Sequence, residues 1–449
     1  MRWLTTIWVL FASFCSNALD YQEAYTLALH QNPDYLAAQE EHKAAQEYIA
    51  RGRAGLLPSL SLNYSQAQNW SDVEQQSGTF ANSEKRDYQS HNASLVLQQP
   101  LFDYSAWAAY QKAKQQTLES DFRLIGKNSA LAMTVLEAFT KALLARDQLD
   151  LAKQQLSSYE ALLVRKEALK DHGEGTQTEV LETQSRLYIA ETELIEAQDE
   201  FELSLRELSS LIEQPVAMAA LPRLKESQKD LPMLSNDIRR WLSLALSQNP
   251  ELRALNHKVR AASHEVDAQR GGHLPRVSLY ATARDTESDT ENTYQQRYDT
   301  HSVGIRIQMP LYSGGKVSSA TRQASATKSQ FRYELDARRQ EIKLQIRRYY
   351  RKCMSSLSSL KARSFAVISA EALVEATQKS VQGGERDNQD ILNAERQLFQ
   401  ARRDLVETRY DYLKSWLGLY AVAGMLAEEH IQLVSSQFQT AKEPSALSQ

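Results

Sequence analysis

From Lys316 to Gln382 the chain runs for 67 residues without a glycine or a proline, and from Tyr104 to His172 it holds only Gly126. Nothing in either stretch interrupts an α-helix. At ~1.5 Å per residue each becomes a rod of roughly 100 Å, longer than a compact globular domain accommodates. The fold has to supply partners along the whole of two such rods, so an ordinary single-core globule is excluded.

The second constraint is that the chain is written twice. "LALHQNPDYLAAQ" at Leu27 to Gln39 returns as "LALSQNPELRALN" at Leu244 to Asn256, and "GLLPSLSL" at Gly55 to Leu62 as "GHLPRVSL" at Gly272 to Leu279, both 217 residues on. "QQPLFDY" at Gln98 to Tyr104 answers "QMPLYSG" at Gln308 to Gly314 after 210 residues. "GEGTQTEVLETQSRLY" at Gly173 to Tyr188 answers the second glycine turn, "GGERDNQDILNAERQLF" at Gly383 to Phe399, after 211. Such ordered self-similarity marks a tandem duplication. Each half reads helix, strand, strand, very long helix, turn, helix. The first repeat is expected over 19–214, with strands at 58–69 and 90–99 and helices at 104–172 and 177–212. The second is expected over 236–424, with strands at 275–284 and 299–309 and helices at 316–382 and 389–422. Residues 215–235 join them, and 425–449 read as a polar, disordered tail.

The helices after the two turns share a register. Val180, Leu187, Leu194, Phe201 and Leu208 are spaced by seven, as are Ile391, Leu398, Leu405, Tyr412 and Leu419. A strict heptad specifies a left-handed coiled coil, although an ordinary bundle core carries the same stripe. The strands alternate: Val303, Ile305 and Ile307 oppose Gly304, Arg306 and Gln308, and Leu60, Leu62 and Tyr64 oppose Ser59, Ser61 and Asn63. That is the apolar-out, polar-in pattern of a membrane barrel wall, shared with any half-buried sheet. Four strands close no barrel around a lumen, so copies have to pool them, which implies a homo-oligomer. The polar links at about Trp70 to Tyr88 and Arg284 to Arg297 are expected as water-exposed loops.

The amino terminus carries Arg2, an apolar run from Trp3 to Phe14 and then Ser16-Asn17-Ala18, so residues 1–18 read as a secretory signal. Phe14 stands where a lipidated Cys15 would want a small residue. Cys353 is then the one mature cysteine, expected as an unpaired buried thiol. No later run reaches the ~18 apolar residues of a transmembrane helix, so a membrane crossing requires a β-barrel. The net charge of −4 gives no field for nucleic acid.

Taken together, the paired "NP" helices, the "LPSLSL" and "LPRVSL" strand starts, the "QPLFDY" and "MPLYSGG" corners and the two glycine turns resemble the TolC family of outer-membrane export channels, from roughly Leu19 to Gly424. The resemblance implies an α+β membrane protein. Each protomer would contribute four strands to a trimeric, twelve-stranded β-barrel in the outer membrane of a Gram-negative cell, and coiled-coil helices to a periplasmic α-helical barrel. It also implies three kinds of partner: two further copies, a periplasmic adaptor, and an inner-membrane transporter that is either an ABC protein or proton-driven. The cargo is a secreted protein or small toxic compounds, and "GEGTQTEVLE" leans towards type I protein secretion.

Within that family the turns form the periplasmic mouth. The resemblance places Asp390 in a pore-facing acidic ring whose second member is here Asn393. It gives Arg386 a gate contact with Thr178 and Glu179 of a neighbouring chain, with Glu182 in the same tip; Val381 stands where the family has a latch tyrosine. Gly173, Gly175, Gly383 and Gly384 make the turns. Helix capping alone also accounts for Glu179 and Asp390, since a carboxylate is stabilised at a helix amino terminus. No catalytic constellation is present: the nine histidines show no metal spacing, and "SGGKV" at Ser313 to Val317 lacks the rest of a phosphate loop. No enzyme, cofactor or structural metal is expected. The alternative from another class is a periplasmic coiled-coil or adaptor protein without a pore.

Overall fold

The computed structural model describes residues 19–77, 80–225, 237–386 and 388–439. The expected signal segment 1–18, most of the second part of the connector and residues 440–449 lie outside the described residues. The chain divides into two compact units. One comprises residues up to Gln39, Leu124–Pro250 and Arg339 onward; the other comprises Glu40–Arg123 and Glu251–Arg338.

The second unit holds a four-stranded antiparallel sheet made of β1 (Ser59–Ser77), β2 (Phe80–Phe102), β4 (Arg276–Glu287) and β5 (Arg297–Gln308), in the order β1-β2-β4-β5. The register Leu62↔Leu95↔Ala283 and Leu279↔Ile305 puts the expected apolar residues on one face. That face is bare: Leu62 is 74% exposed and Val303 77%. Among the described residues the outer edges of β1 and β5 have no partner strand.

The first hairpin corrects the expected loop. β1 and β2 pair without a break from Ser59↔Gln98 to Ser77↔Phe80, so most of the Trp70 to Tyr88 link is a two-stranded ribbon. Pairing of β2 with β4 ends at His91↔Glu287, and beyond it the ribbon continues alone for about 35 Å. Polar side chains on both of its faces, Asp72 and Lys85 on one and Ser71 and Arg86 on the other, remove the period-two signal that marks a strand in sequence. In the second hairpin the strands reach Glu287 and Arg297, which leaves a short loop.

The first unit packs α1 (Tyr21–Gln31) and parts of α3 (Tyr104–Asp171), α4 (Gln177–Leu211) and α8 (Asn388–Ala423) around Tyr21, Phe139, Leu208, Tyr412 and Trp416. The helix expected at the start of each half is broken in two, α1 and α2 (Pro33–Ala54) in the first half and α5 (Ile238–Gln248) and α6 (Pro250–Arg270) in the second. The break is the "NP" pair. Asn32 ends α1, its Oδ1 accepts from the Tyr35 amide at 3.1 Å, and Pro33 opens α2 without needing an amide donor. The freed Asn amides are used in parallel ways. Asn32 Nδ2 donates to the Leu211 carbonyl at 3.3 Å and Asn249 Nδ2 to the Val422 carbonyl at 2.8 Å, each closing the end of the returning helix in its own half.

The expected disordered tail is also corrected. α9 (Glu428–Ser435) buries Ile431 and Val434, and β6 (Phe438–Gln439) pairs with β3 (Arg223–Leu224) of the connector. Arg146, 5% exposed, donates to the Leu221 and Pro222 carbonyls at 2.9 and 2.7 Å and pairs with Asp147, which pins the connector to α3. Cys353 is buried and unpaired.

Candidate functional site

The tips of the two helical hairpins are built by the same backbone device. At the end of α3 the Gly173 amide donates to the Lys170 carbonyl and the Glu174 amide to Leu169, both at 2.9 Å. At the end of α7 (Lys316–Gln382) the Gly384 amide donates to Val381 at 3.1 Å and the Glu385 amide to Ser380 at 2.9 Å. These paired bonds are Schellman closures, and they require a left-handed residue at one position. Gly173 has φ +79° and Gly384 φ +77°, which glycine alone adopts without strain.

Above this shared frame the side chains differ. In the first tip Thr176 caps α4: its hydroxyl accepts from the Glu179 amide at 3.3 Å, and Glu179 Oε2 accepts from the Thr176 amide at 3.4 Å. Lys166 of α3 then reaches across the hairpin to the same Glu179 Oε2 at 3.1 Å. The Lys166 side chain is 2% exposed and that of Glu179 33%. The pair is a staple joining the two arms at the tip.

In the second tip Asp390 holds the place of Glu179 in the first turn of α8. The position matching Lys166 is Thr377, also 2% exposed, so no cation stands opposite. Among the described residues Asp390 makes no ion pair. The arms of this hairpin are joined farther back, by Lys352–Asp411 at 3.2 Å, Arg363–Asp404 at 2.9 Å and Arg402–Glu371 at 2.8 Å. The expected gate residues Arg386, Thr178 and Glu182 are exposed, and among the described residues Arg386 has no bonded partner within the protomer. Asn393 is exposed and accepts from Arg396 at 3.2 Å. The protomer brings Glu179 together with Lys166 rather than with Arg386. Both contacts of Glu179 fall on Oε2, which leaves Oε1 for a further donor. Lys166 is the residue the sequence analysis missed. Its signal is positional, because Lys166 and Glu179 lie at nearly equal distances from the turn.

The hairpins touch through a small apolar cluster in which Leu392 of α8 meets Tyr159 of α3 and Ala190 of α4. Glu395, one turn on from Leu392, is half-buried, and burial pushes its carboxyl above the ordinary glutamate range. The heptad stripes face inward as expected, with Val180, Phe201 and Leu208 buried in one hairpin and Ile391, Tyr412 and Leu419 in the other.

Among the described residues no helix is long and apolar enough to cross a membrane. A strand pair and a long helical hairpin in each of two repeats, with the bare apolar sheet, define the outer-membrane channel fold. The outer membrane protein VceC of Vibrio cholerae shares it, with a TM-score of 0.77 at 18% identity over 90% of this chain and 96% of that one. In sequence the chain is 41% identical to the alkaline protease secretion protein AprF of Pseudomonas aeruginosa, over 99% of this chain and 92% of the relative. It is 35% identical to the proteases secretion protein PrtF of Dickeya chrysanthemi, over 98% and 95%. The family described as outer membrane efflux protein matches residues 24–213 and 241–425, and the chain belongs to that family. The TolC resemblance read from the sequence holds. The protein is an outer-membrane component of an export system, and the reading as a poreless periplasmic adaptor is not favoured.

Proposed function

We propose that three copies of this chain form a passive conduit for a secreted protein of the protease class, delivered by an inner-membrane ABC transporter through a periplasmic adaptor. The sheet carries the reading. Its two unpaired edges and its exposed apolar face, with Val303 at 77% and Ile307 at 69%, are costly for a lone chain and are both satisfied when three sheets close into one lipid-facing barrel. Whole-length similarity to two protease secretion proteins supports protein cargo over small compounds.

In the trimer the hairpin tips gather round the threefold axis. Three Asp390 carboxylates then form one ring that draws cations, because like charges crowded at an axis are relieved by counter-ions. Arg386 of each copy holds the resting mouth through Thr178 and the open Oε1 of Glu179 on its neighbour. The adaptor opens it by releasing α7 and α8.

The test is complementation. A strain that carries a protease, its transporter and its adaptor but no outer-membrane component regains extracellular protease when this chain is supplied, and heat-modifiable trimers appear in its outer-membrane fraction. Trimers without protease export would assign the channel another cargo, and a soluble periplasmic monomer would end the proposal.

A further inference from the structure

We propose that the β4–β5 loop is a second constriction of the channel, at its outer mouth, with Tyr294, Tyr88 and Arg86 setting its width. The inference rests on the reading of the polar sheet face as the channel lumen. On β2 the residues of that face are Ser94, Val96 and Gln98. The β1–β2 ladder runs through Gln98, Tyr88 and Arg86 with no register break, so Tyr88 and Arg86 stand on the same face, above the end of β4. The β4–β5 loop lies at the end of the sheet opposite its helix connections, which is the outer end of a barrel.

The loop folds onto that face instead of away from it. The Tyr294 ring meets Tyr88 edge-on at 5.1 Å, and the Arg86 guanidinium lies 5.2 Å from the Tyr294 ring centre while pairing with Glu84 at 3.0 Å. Edge-to-face rings and a cation over a ring are the attractive arrangements for these groups. The loop is held in shape by its own bonds: the Ser288 amide to the Gln296 carbonyl at 3.0 Å, the Gln295 amide to Ser288 Oγ at 2.9 Å, and the Thr290 amide to Thr293 Oγ1 at 2.9 Å. Ser288 and Gln295 sit at φ +51° and +62°, where side-chain-bearing residues persist only under such restraint.

The polar face beneath is covered. Thr286 and Ser288 are each 4% exposed, and Ser71 Oγ and Asn92 Oδ1 are shielded, whereas Ser61 and Asn63 lower on the same face stand open. Three inward loops around one barrel leave a narrowed outer opening. Its contacts are aromatic and cation–ring rather than a hydrophobic core, so emerging cargo can displace them while solutes entering from outside meet a sieve.

The test uses whole cells and the full chain carrying Asn63→Cys, a lumen-face position, with Cys353 too buried to interfere. A small maleimide and maleimide-capped polyethylene glycols of rising size are added from outside. With the native loop, labelling is expected to stop at short polymers. Tyr294→Ala, and separately Arg86→Ala, are expected to shift the cut-off to longer ones. The same cut-off in all three proteins overturns the constriction. Failure of even the small maleimide to label Asn63→Cys in the loop variants overturns the lumen reading itself, and the constriction with it.

Discussion

The two hairpin tips share a backbone and differ in what closes them. The first carries Lys166 against Glu179 at 3.1 Å with the ammonium nearly sealed from water. The second carries Thr377 and Asp390 at the matching places, and among the described residues its last ion pair between arms, Arg402–Glu371, lies well behind the turn. A buried charge is strongly held once its partner is in place, because losing the partner leaves it desolvated and alone. The first tip is therefore stapled across its arms, and the second has no such staple at the matching place. On the proposed gate, this asymmetry makes α7 and α8 the moving part without invoking any difference in helix length or turn geometry.

The sharpest way to break the comparison is to remove the two acids separately. Glu179→Gln strands the Lys166 ammonium and is expected to destabilise the first tip by about 3 kcal/mol, in the range for a broken buried pair. Asp390→Asn loses a helix-terminus charge, worth under about 1 kcal/mol. Amide hydrogen exchange on the assembled protein reads both, and equal losses of protection at the two tips would erase the distinction.

Next in size is Arg386→Ala, expected to raise resting single-channel conductance several-fold. Asp390→Asn is expected to weaken block by divalent cations from the periplasmic side, and unaltered block would place the cation ligands elsewhere. Transplanting the staple sharpens the argument: Thr377→Lys puts an ammonium opposite Asp390 and is expected to lower conductance and raise protection in the first turns of α8. A variant that opens as readily as the native chain would show that the missing lysine is not what frees the second tip.

The smallest effect is with pH. Burial raises the Glu395 carboxyl, so its protonated form is favoured where Leu392 packs on Tyr159 and Ala190. The stabilisation is full below the ordinary glutamate value and is lost as pH rises through the raised one. Exchange at Tyr159 is expected to slow on acidification, and Glu395→Gln should flatten that dependence while leaving protection at its acid level.

Much of this is legible in the sequence. The glycine-free runs mark α3 and α7, the heptads mark the buried faces of α4 and α8, and the alternation at Leu60, Leu62, Val303 and Ile305 marks the lipid-facing side. Each of these is a one-dimensional pattern imposed by a repeating geometry. What escaped depends on two-dimensional pairing. The ribbon beyond Trp70 carries polar side chains on both faces and so has no alternation to read. α9 buries only a few of its side chains, and Glu428, Glu429 and His430 give its start the polarity of a tail. The Lys166 staple exists only once two helices lie in register, although counting outward from Gly173 would have found it.

Because each tip is closed by amide-to-carbonyl bonds and one left-handed glycine, its shape asks almost nothing of the side chains around it. A duplicated segment could thus keep its form while its charges drifted, one copy holding a staple between its arms and the other none at the same place. The difference between the two copies needed no new architecture, only a lysine on one side and a threonine on the other.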